Sequence, residues 1–295
     1  MYDCKQEILS RIPDNNCCSH AFACTLFSAV AQIDERNNRM LVNAKEDVIN
    51  KLVKIINNFY PNTEISIWDG FLYITGNIHS LLNDCNIGEN RHIDLAFFPN
   101  ECDRLAILKT LFLTCGAFYY NQDNNLNSKG YSLEFVFKRE DLLLTAKQIL
   151  EANGFTLKSI LRQNNHVLYT KNSNQICDLL VLLGAVSTSL DVQNTLAIRE
   201  IRNSTNRQNN CFESNLDKTL NASAEQLEAI NYIMDNDLLD TLDENLKEVA
   251  LARLANPDIS LKELQSILDT KISRAGIKYR LDKIITLYKK LKGDA

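Results

Sequence analysis

The sequence lacks most of the short signatures that announce small-molecule chemistry. It has no Cys-x-x-Cys pair and no glycine-rich phosphate loop, and its four histidines (20, 79, 92 and 166) show no metal-ligand spacing. These absences remove the usual sequence signals for a metal or cofactor site, so none is expected, and the histidines read as surface or hairpin residues. The nine cysteines are odd in number and several lie in apolar helical contexts, where a thiol behaves as a small hydrophobe; reduced, mostly buried cysteine is expected. The adjacent Cys17-Cys18 reads as packing, because vicinal cysteines strain a mutual bridge. No apolar run reaches the ~18 residues that span a bilayer. The opening MYDCKQEILSRIPDNN has no basic segment followed by an apolar one, so a secretion signal is not expected. The reading is a cytoplasmic protein with no membrane partner.

What is present is ordinary in amount and uneven in distribution. The chain has 295 residues, 45% hydrophobic and 23% charged, enough for two domains, or three if a duplication is counted. Net charge is −5, yet residues 257–295 carry nine Lys/Arg against five Asp/Glu, or +4, which leaves −9 for the rest. For nucleic-acid binding the distribution matters more than the total, and one end of the chain is set apart.

Residues 19–84 and 104–184 repeat one series of elements. A compact helix around Phe27 or Phe112 precedes a strand (RMLVNA at 39–44, YSLEFVF at 131–137) and an amphipathic helix. That helix carries Val48, Leu52, Ile55 and Ile56 in one copy and Leu142, Leu143, Ala146 and Ile149 in the other, with Asp47 and Asp141 near its positive end. Hairpins follow, turning at Asp69-Gly70 and near Gln163–Asn165, and each copy closes with a helix. The loop NQDNNLNSKG (121–130) makes the second copy longer. Helix, hairpin, helix, hairpin, helix, twice in tandem, resembles the LAGLIDADG homing endonucleases. In that family an acid near the end of each signature helix holds a divalent metal for phosphodiester cleavage. Here those positions hold Val30 and Cys115, unsuited to magnesium, with Asp34 and Asp123 just downstream. Gly116, opposite Ala31, is expected to permit close helix packing. The resemblance therefore implies a kept scaffold without nuclease chemistry.

A polar stretch separates this half from the basic end. Arg199, Arg202, Asn203, Asn206, Arg207, Asn209 and Asn210 cluster within about three helical turns, and Asn215, Lys218 and Asn221 follow. At spacings of three and four, Arg199, Arg202, Asn203, Asn206 and Asn210 share a face. The stripe suits phosphate oxygens; a solvated interdomain helix explains it equally. The positions Arg202, Asn203, Asn206, Arg207, Asn210, Cys211, Asn215, Leu216, Lys218, Thr219, Ala222 and Gln226 resemble the linker signature of the WhiA family of bacterial sporulation and cell-division regulators. Ile176–Ala185 is similar to that family's preceding helix, and Cys17-Cys18 to a cysteine pair near its start. Phe212 stands where the family pattern has a glutamate, which puts that local contact in doubt.

The C-terminal module reads as three helices. The first, about 243–255, presents Leu246, Val249, Ala250 and Leu254 and stops before Pro257. Ser260 with Glu263 forms a capping box for a short second helix. A tight turn, Asp269–Ile272, precedes Ser273, the expected N-cap of a longer third helix with the stripe Ile277, Leu281, Ile284, Tyr288 and Leu291. In a helix-turn-helix the start of the last helix enters the major groove. Arg274 and Lys278 lie off the apolar stripe and face bases in this reading, with Lys271, Ser273 and Arg280 reaching phosphate or base edges. A three-helix cap with a solvated basic face is the alternative. The segment also resembles the WhiA C-terminal domain, similar to a sigma-factor region-four module.

The expected fold is α+β: tandem LAGLIDADG-like repeats at 1–88 and 89–189, a helical Arg/Asn-rich linker at 190–240, and an all-α helix-turn-helix domain at 241–295. The resemblance implies a non-enzymatic transcription regulator of a Gram-positive bacterium. Its partners would be double-stranded DNA and another transcription regulator or a sigma factor. DNA contact would fall to Lys271, Ser273, Arg274, Lys278 and Arg280, and to Arg199, Arg202, Asn203, Asn206, Arg207 and Lys218 on the linker, which would couple the two halves. The alternatives are a surviving metal-dependent nuclease and a protein-interaction adaptor.

Overall fold

The computed structural model describes residues 2–14, 16–34, 36–76, 78–88, 90–120, 130–268 and 270–293; of Tyr2 and Asp3 the backbone alone is described. The chain forms two compact units, Met1–Arg199 and Glu200–Ala295.

The first unit opens with helix α1 (Tyr2–Ser10), for which the sequence carried no prominent signal. The first repeat follows as α2 (Cys17–Ala29), β1 (Ala31–Asp34), β2 (Arg39–Val42), α3 (Glu46–Phe59), β3 (Glu64–Trp68), β4 (Phe71–Thr75) and α4 (Ile78–Asp84). The second repeats that order as α5 (Glu101–Cys115), β5 (Gly116–Tyr119), β6 (Ser132–Phe137), α6 (Glu140–Ala152), β7 (Lys158–Arg162), β8 (Asn165–Thr170) and α7 (Ser173–Leu183). Each sheet is antiparallel, ordered β1-β2-β4-β3 in one copy and β5-β6-β8-β7 in the other. Alternation places Met40, Val42, Leu72 and Ile74 inward in the first sheet, and Leu133, Phe135, Phe137 and Leu168 in the second.

Both turns expected between the outer strands are present. Asp69 and Gly70 have φ of 50° and 76°, and Gln163 and Asn164 have 49° and 60°. Positive φ at both central residues turns the chain with the handedness that matches twisted strands.

Helices α2 and α5 pack against each other at the centre. Helix α2 is apolar nearly all round, and it buries Ala21, Phe22, Ala23, Leu26 and Phe27 as well as Ser19, Thr25 and Ser28. A helix with so little polar surface has to be enclosed. Its buried hydroxyls are satisfied locally, Thr25 Oγ1 donating to Ala21 O at 2.7 Å and Thr110 Oγ1 on α5 to Ala106 O at 2.7 Å. One continuous core runs from Cys4 to Val192 through both repeats. At Gly116, where the sequence suggested room for close helix packing, a Cβ would lie 2.3 Å from the ring of Phe112 on α5, so the position has no space for a side chain.

Helix α8 (Val186–Asp235) runs unbroken for 50 residues, and the division between the units falls within it. In the second unit it is followed by a short 3₁₀ turn (Leu239–Thr241), α9 (Glu244–Ala255), α10 (Leu261–Ile267) and α11 (Arg274–Lys292). A separate core joins Ala229, Ile230 and Ile233 of α8 to Val249, Ala250, Leu264, Ile277, Leu281, Ile284 and Tyr288. Leu291 departs from the expected stripe and is exposed.

The loop over 121–129, including Asp123, and the turn residue Asp269 lie outside the described residues.

Candidate nucleic-acid interface

Helix α11 is built from its start for presentation. Ser273 Oγ accepts from Gly276 N–H at 3.1 Å, so this hydroxyl caps the helix as its position implied. The turn before it is fixed by Gln265 Nε2, which donates to Ile272 O at 2.8 Å, and by Thr270 Oγ1, which donates to Glu248 at 2.8 Å. The capping box of α10 is closed by Glu263 Oε2 accepting from Ser260 N–H at 2.8 Å, and backbone and side-chain contacts from Ser260 lower the Glu263 pKa.

The charge of α11 is asymmetric along its length. It has seven Lys/Arg (274, 278, 280, 283, 289, 290, 292) against Asp282 alone. Near its end two of the three cations are paired with α8: Lys289 Nζ is 2.9 Å from Glu225 and Lys292 Nζ is 3.5 Å from Glu228. Near its start, Arg274 and Lys278 are exposed, and among the described residues neither is ion-paired. Lys283 Nζ lies 5.0 Å from the Tyr279 ring centroid, and that ring is 61% exposed. Lys271 is also exposed. Arg280 is placed differently from its neighbours: it is half-buried, and its Nη1 donates to Asn245 O at 3.2 Å, tying α11 to α9.

The polar stretch is helical throughout. In the first unit, Arg199 lies over the Tyr131 ring, 5.1 Å from its centroid, and donates to Tyr131 Oη at 2.8 Å. In the second, Arg202, Asn203, Asn206, Arg207 and Lys218 are all exposed. Two apolar side chains among them, Ile201 and Phe212, are also exposed, at 68% and 69%.

The C-terminal ends of α2 and α5 carry cations. Arg139 Nη1 donates to Ser28 O at 2.9 Å and its Nη2 to Arg91 O at 2.8 Å, while Arg91 Nη1 donates to Ala31 O at 2.5 Å. At the end of α5, the buried Lys5 Nζ donates to Leu113 O at 2.9 Å. Burial, then Lys45, lowers the Lys5 pKa to about 8, and burial raises that of Cys115. Asp34 is turned to its own hairpin: it accepts from Asn37 at 2.8 Å, the main cause of its lowered pKa, and from Arg39 at 3.0 Å.

The cysteines depart from the expectation. Cys4, Cys24, Cys85 and Cys177 are buried, but Cys17, Cys102 and Cys211 are exposed, and Cys24 is paired with Cys85 as a disulfide across 61 residues of sequence. His20 is no surface residue; it lies half-buried on α2 between Cys24 and the rings of Phe59, Phe97 and Phe98.

Two family models match the chain in tandem: the WhiA LAGLIDADG-like domain over residues 106–202 and the WhiA C-terminal HTH domain over 205–288. A probable cell division protein WhiA of Clostridium botulinum (strain Eklund 17B / Type B) is 35% identical over 221 residues, covering 75% of this chain and 68% of that protein. The chain belongs to the WhiA family. A second WhiA relative, from Thermoanaerobacter sp. (strain X514), is 38% identical over 203 residues, 69% of this chain and 62% of its own length. The crystal structure of full-length DUF199/WhiA from Thermotoga maritima is similar in fold, with a TM-score of 0.55 at 22% identity, covering 97% of this chain and 96% of that one. The WhiA architecture, LAGLIDADG-like repeats followed by a helix-turn-helix, is thus the architecture of this chain. No helix among the described residues is long and apolar enough to cross a membrane.

Proposed function

We propose that this WhiA-family chain is a non-enzymatic, DNA-binding transcription regulator that reads sequence with the start of α11. The observation that carries the reading is the asymmetry of that helix. Lys289 and Lys292 near its end are matched by carboxylates on α8, while Arg274 and Lys278 stand exposed beside the exposed Tyr279 and, among the described residues, have no ion pair. A helix-turn-helix presents this part of its last helix to the major groove, where an arginine can fork onto guanine. Lys271 and the exposed linker residues Arg202, Asn203, Asn206, Arg207 and Lys218 then add phosphate contacts. Ser273 and Arg280 contribute by holding the helix, through its cap and its tie to Asn245.

The absence of catalysis is supported by the ends of α2 and α5. Val30 and Cys115 offer no hard oxygen ligand, and the neighbouring carbonyls are occupied by Arg91, Arg139 and Lys5. The names of the relatives support a role in cell division, and in this reading the protein acts at the nucleoid.

The test is retention of pooled genomic fragments by the full chain at moderate salt without magnesium, followed by sequencing. A short enriched motif that is lost in the Arg274→Ala/Lys278→Ala variant is expected. No enrichment, or enrichment unchanged in that variant, would overturn the reading.

A further inference from the structure

The internal repeat brings a second kind of chemistry together at the opposite ends of the central helices. Phe27 and Phe112 are 85 residues apart, and the same offset relates Cys17 to Cys102 and Cys18 to Asp103. Because α2 and α5 are the repeat-related helices and pack together, their first turns converge. The Sγ atoms of Cys17, Cys18 and Cys102 and a carboxylate oxygen of Asp103 all lie within 4.8 Å of one another.

We propose that Cys17, Cys18, Cys102 and Asp103 form a tetrahedral site for a thiophilic divalent cation of the zinc class, two ligands coming from each repeat. Three thiolates and one carboxylate are a zinc donor set. With zinc–sulfur bonds near 2.3 Å, tetrahedral sulfurs stand about 3.8 Å apart. Cys17 Sγ and Cys102 Sγ are 3.6 Å apart. Asp103 is 4% exposed, its Oδ2 accepts from Asn100 Nδ2 at 2.9 Å, and its Oδ1 lies 3.6 Å from Cys102 Sγ. Asn100 thus holds the carboxylate toward the sulfurs, as an outer partner of a metal ligand does. Binding releases the three thiol protons to solvent and leaves the site at −2. The positive ends of α2 and α5, and the Lys109 charge that Cys18 feels, oppose that excess.

Local spacing hides this cluster: it is Cys-Cys and Cys-Asp with 83 residues between Cys18 and Cys102, and only the fold makes it one site. The cation would join the two repeats at a point where their core thins to solvent. This proposal is independent of the DNA-binding reading.

The test is metal content of the full chain purified under reducing conditions with zinc, and again with cobalt(II). About one ion per chain is expected, with the thiolate-to-cobalt charge-transfer band and the intense visible bands of a tetrahedral site. Cys17→Ser and Cys102→Ser, both at exposed positions, should lose the ion while far-ultraviolet circular dichroism stays native; Cys211→Ser should keep it. A chelator should lower the thermal midpoint of the wild type and leave that of Cys102→Ser unchanged. No bound metal in the wild type, or retention of the full equivalent by Cys102→Ser, would overturn the proposal. So would loss of the ion in His20→Gln alone, which would put the ion outside the cluster of Cys17, Cys18, Cys102 and Asp103.

Discussion

The guanidinium of Arg253 donates through Nη1 to the carbonyl of Ile259 at 2.7 Å, from a side chain that is 2% exposed. The same nitrogen reaches Asn256 O at 3.3 Å and Pro257 O at 3.5 Å, so one buried cation gathers the carbonyls of the whole α9–α10 connection. Burial lowers its pKa, but arginine remains charged, so the bonds it makes are charge-assisted.

Arg253→Met should therefore destabilise the second unit by about 1–3 kcal/mol, since the replacement removes the charged donor shared by the Asn256 and Ile259 carbonyls. Urea unfolding of the full chain, read beside hydrogen exchange in α9 and α10, measures it. A loss confined to the first unit would refute the assignment.

Much of this architecture was legible in the sequence, and the reasons differ by element. The hairpin at Asp69-Gly70 was readable because positive φ at two successive positions narrows the choice of residues. The Ser260–Glu263 box and the Ser273 cap were readable because capping is local chemistry. Arg253 was missed because its partners are backbone carbonyls, which have no sequence signature. Arg280 looked like its neighbours Arg274 and Lys278, and only the packing of α9 against α11 turns it to Asn245. The Cys17–Cys102 approach depends on the pairing of repeat-related helices, a long-range fact that composition and local spacing do not encode.

Lys5 should give the first unit a distinctive pH dependence. Its pKa is lowered from 10.5 to about 8, so between those values the unfolded chain holds a proton that the folded chain has released. Stability from this group accordingly rises as pH increases from about 8 toward 10. Denaturation midpoints of wild type and Lys5→Met, compared at each pH, should show the wild type gaining on the variant across that window. A constant difference would mean that Lys5 does not titrate there.

Plasmid DNA incubated with the protein and magnesium or manganese should remain supercoiled. Octahedral hard cations need several oxygen ligands, and the ends of α2 and α5 present Val30, Cys115 and the cations of Lys5, Arg91 and Arg139. Cutting that depends on metal and disappears in Asp34→Ala would reverse this conclusion.

The Arg199–Tyr131 contact should be measurable as a coupling within the first unit. Combining a cation over a ring with a hydrogen bond, a double-mutant cycle with Arg199→Ala and Tyr131→Ala should return about 0.5–1 kcal/mol. Additive effects would mean that the two side chains merely lie near each other.

Arg274 and Lys278 should fail in different ways if one reads bases and the other holds phosphate. A module that neutralises about five phosphates loses affinity with a slope of roughly −4 to −5 in log salt. Lys278→Ala should weaken binding to every sequence and make that slope shallower by about one. Arg274→Ala should cost about 1–3 kcal/mol on the enriched motif and much less on a scrambled one, because a fork onto guanine is lost only where the guanine is present. Equal losses on both DNAs would move Arg274 to the backbone. The base contacts would then have to come from another residue near the start of α11, and Tyr279, exposed beside Lys283, is the side chain next in line.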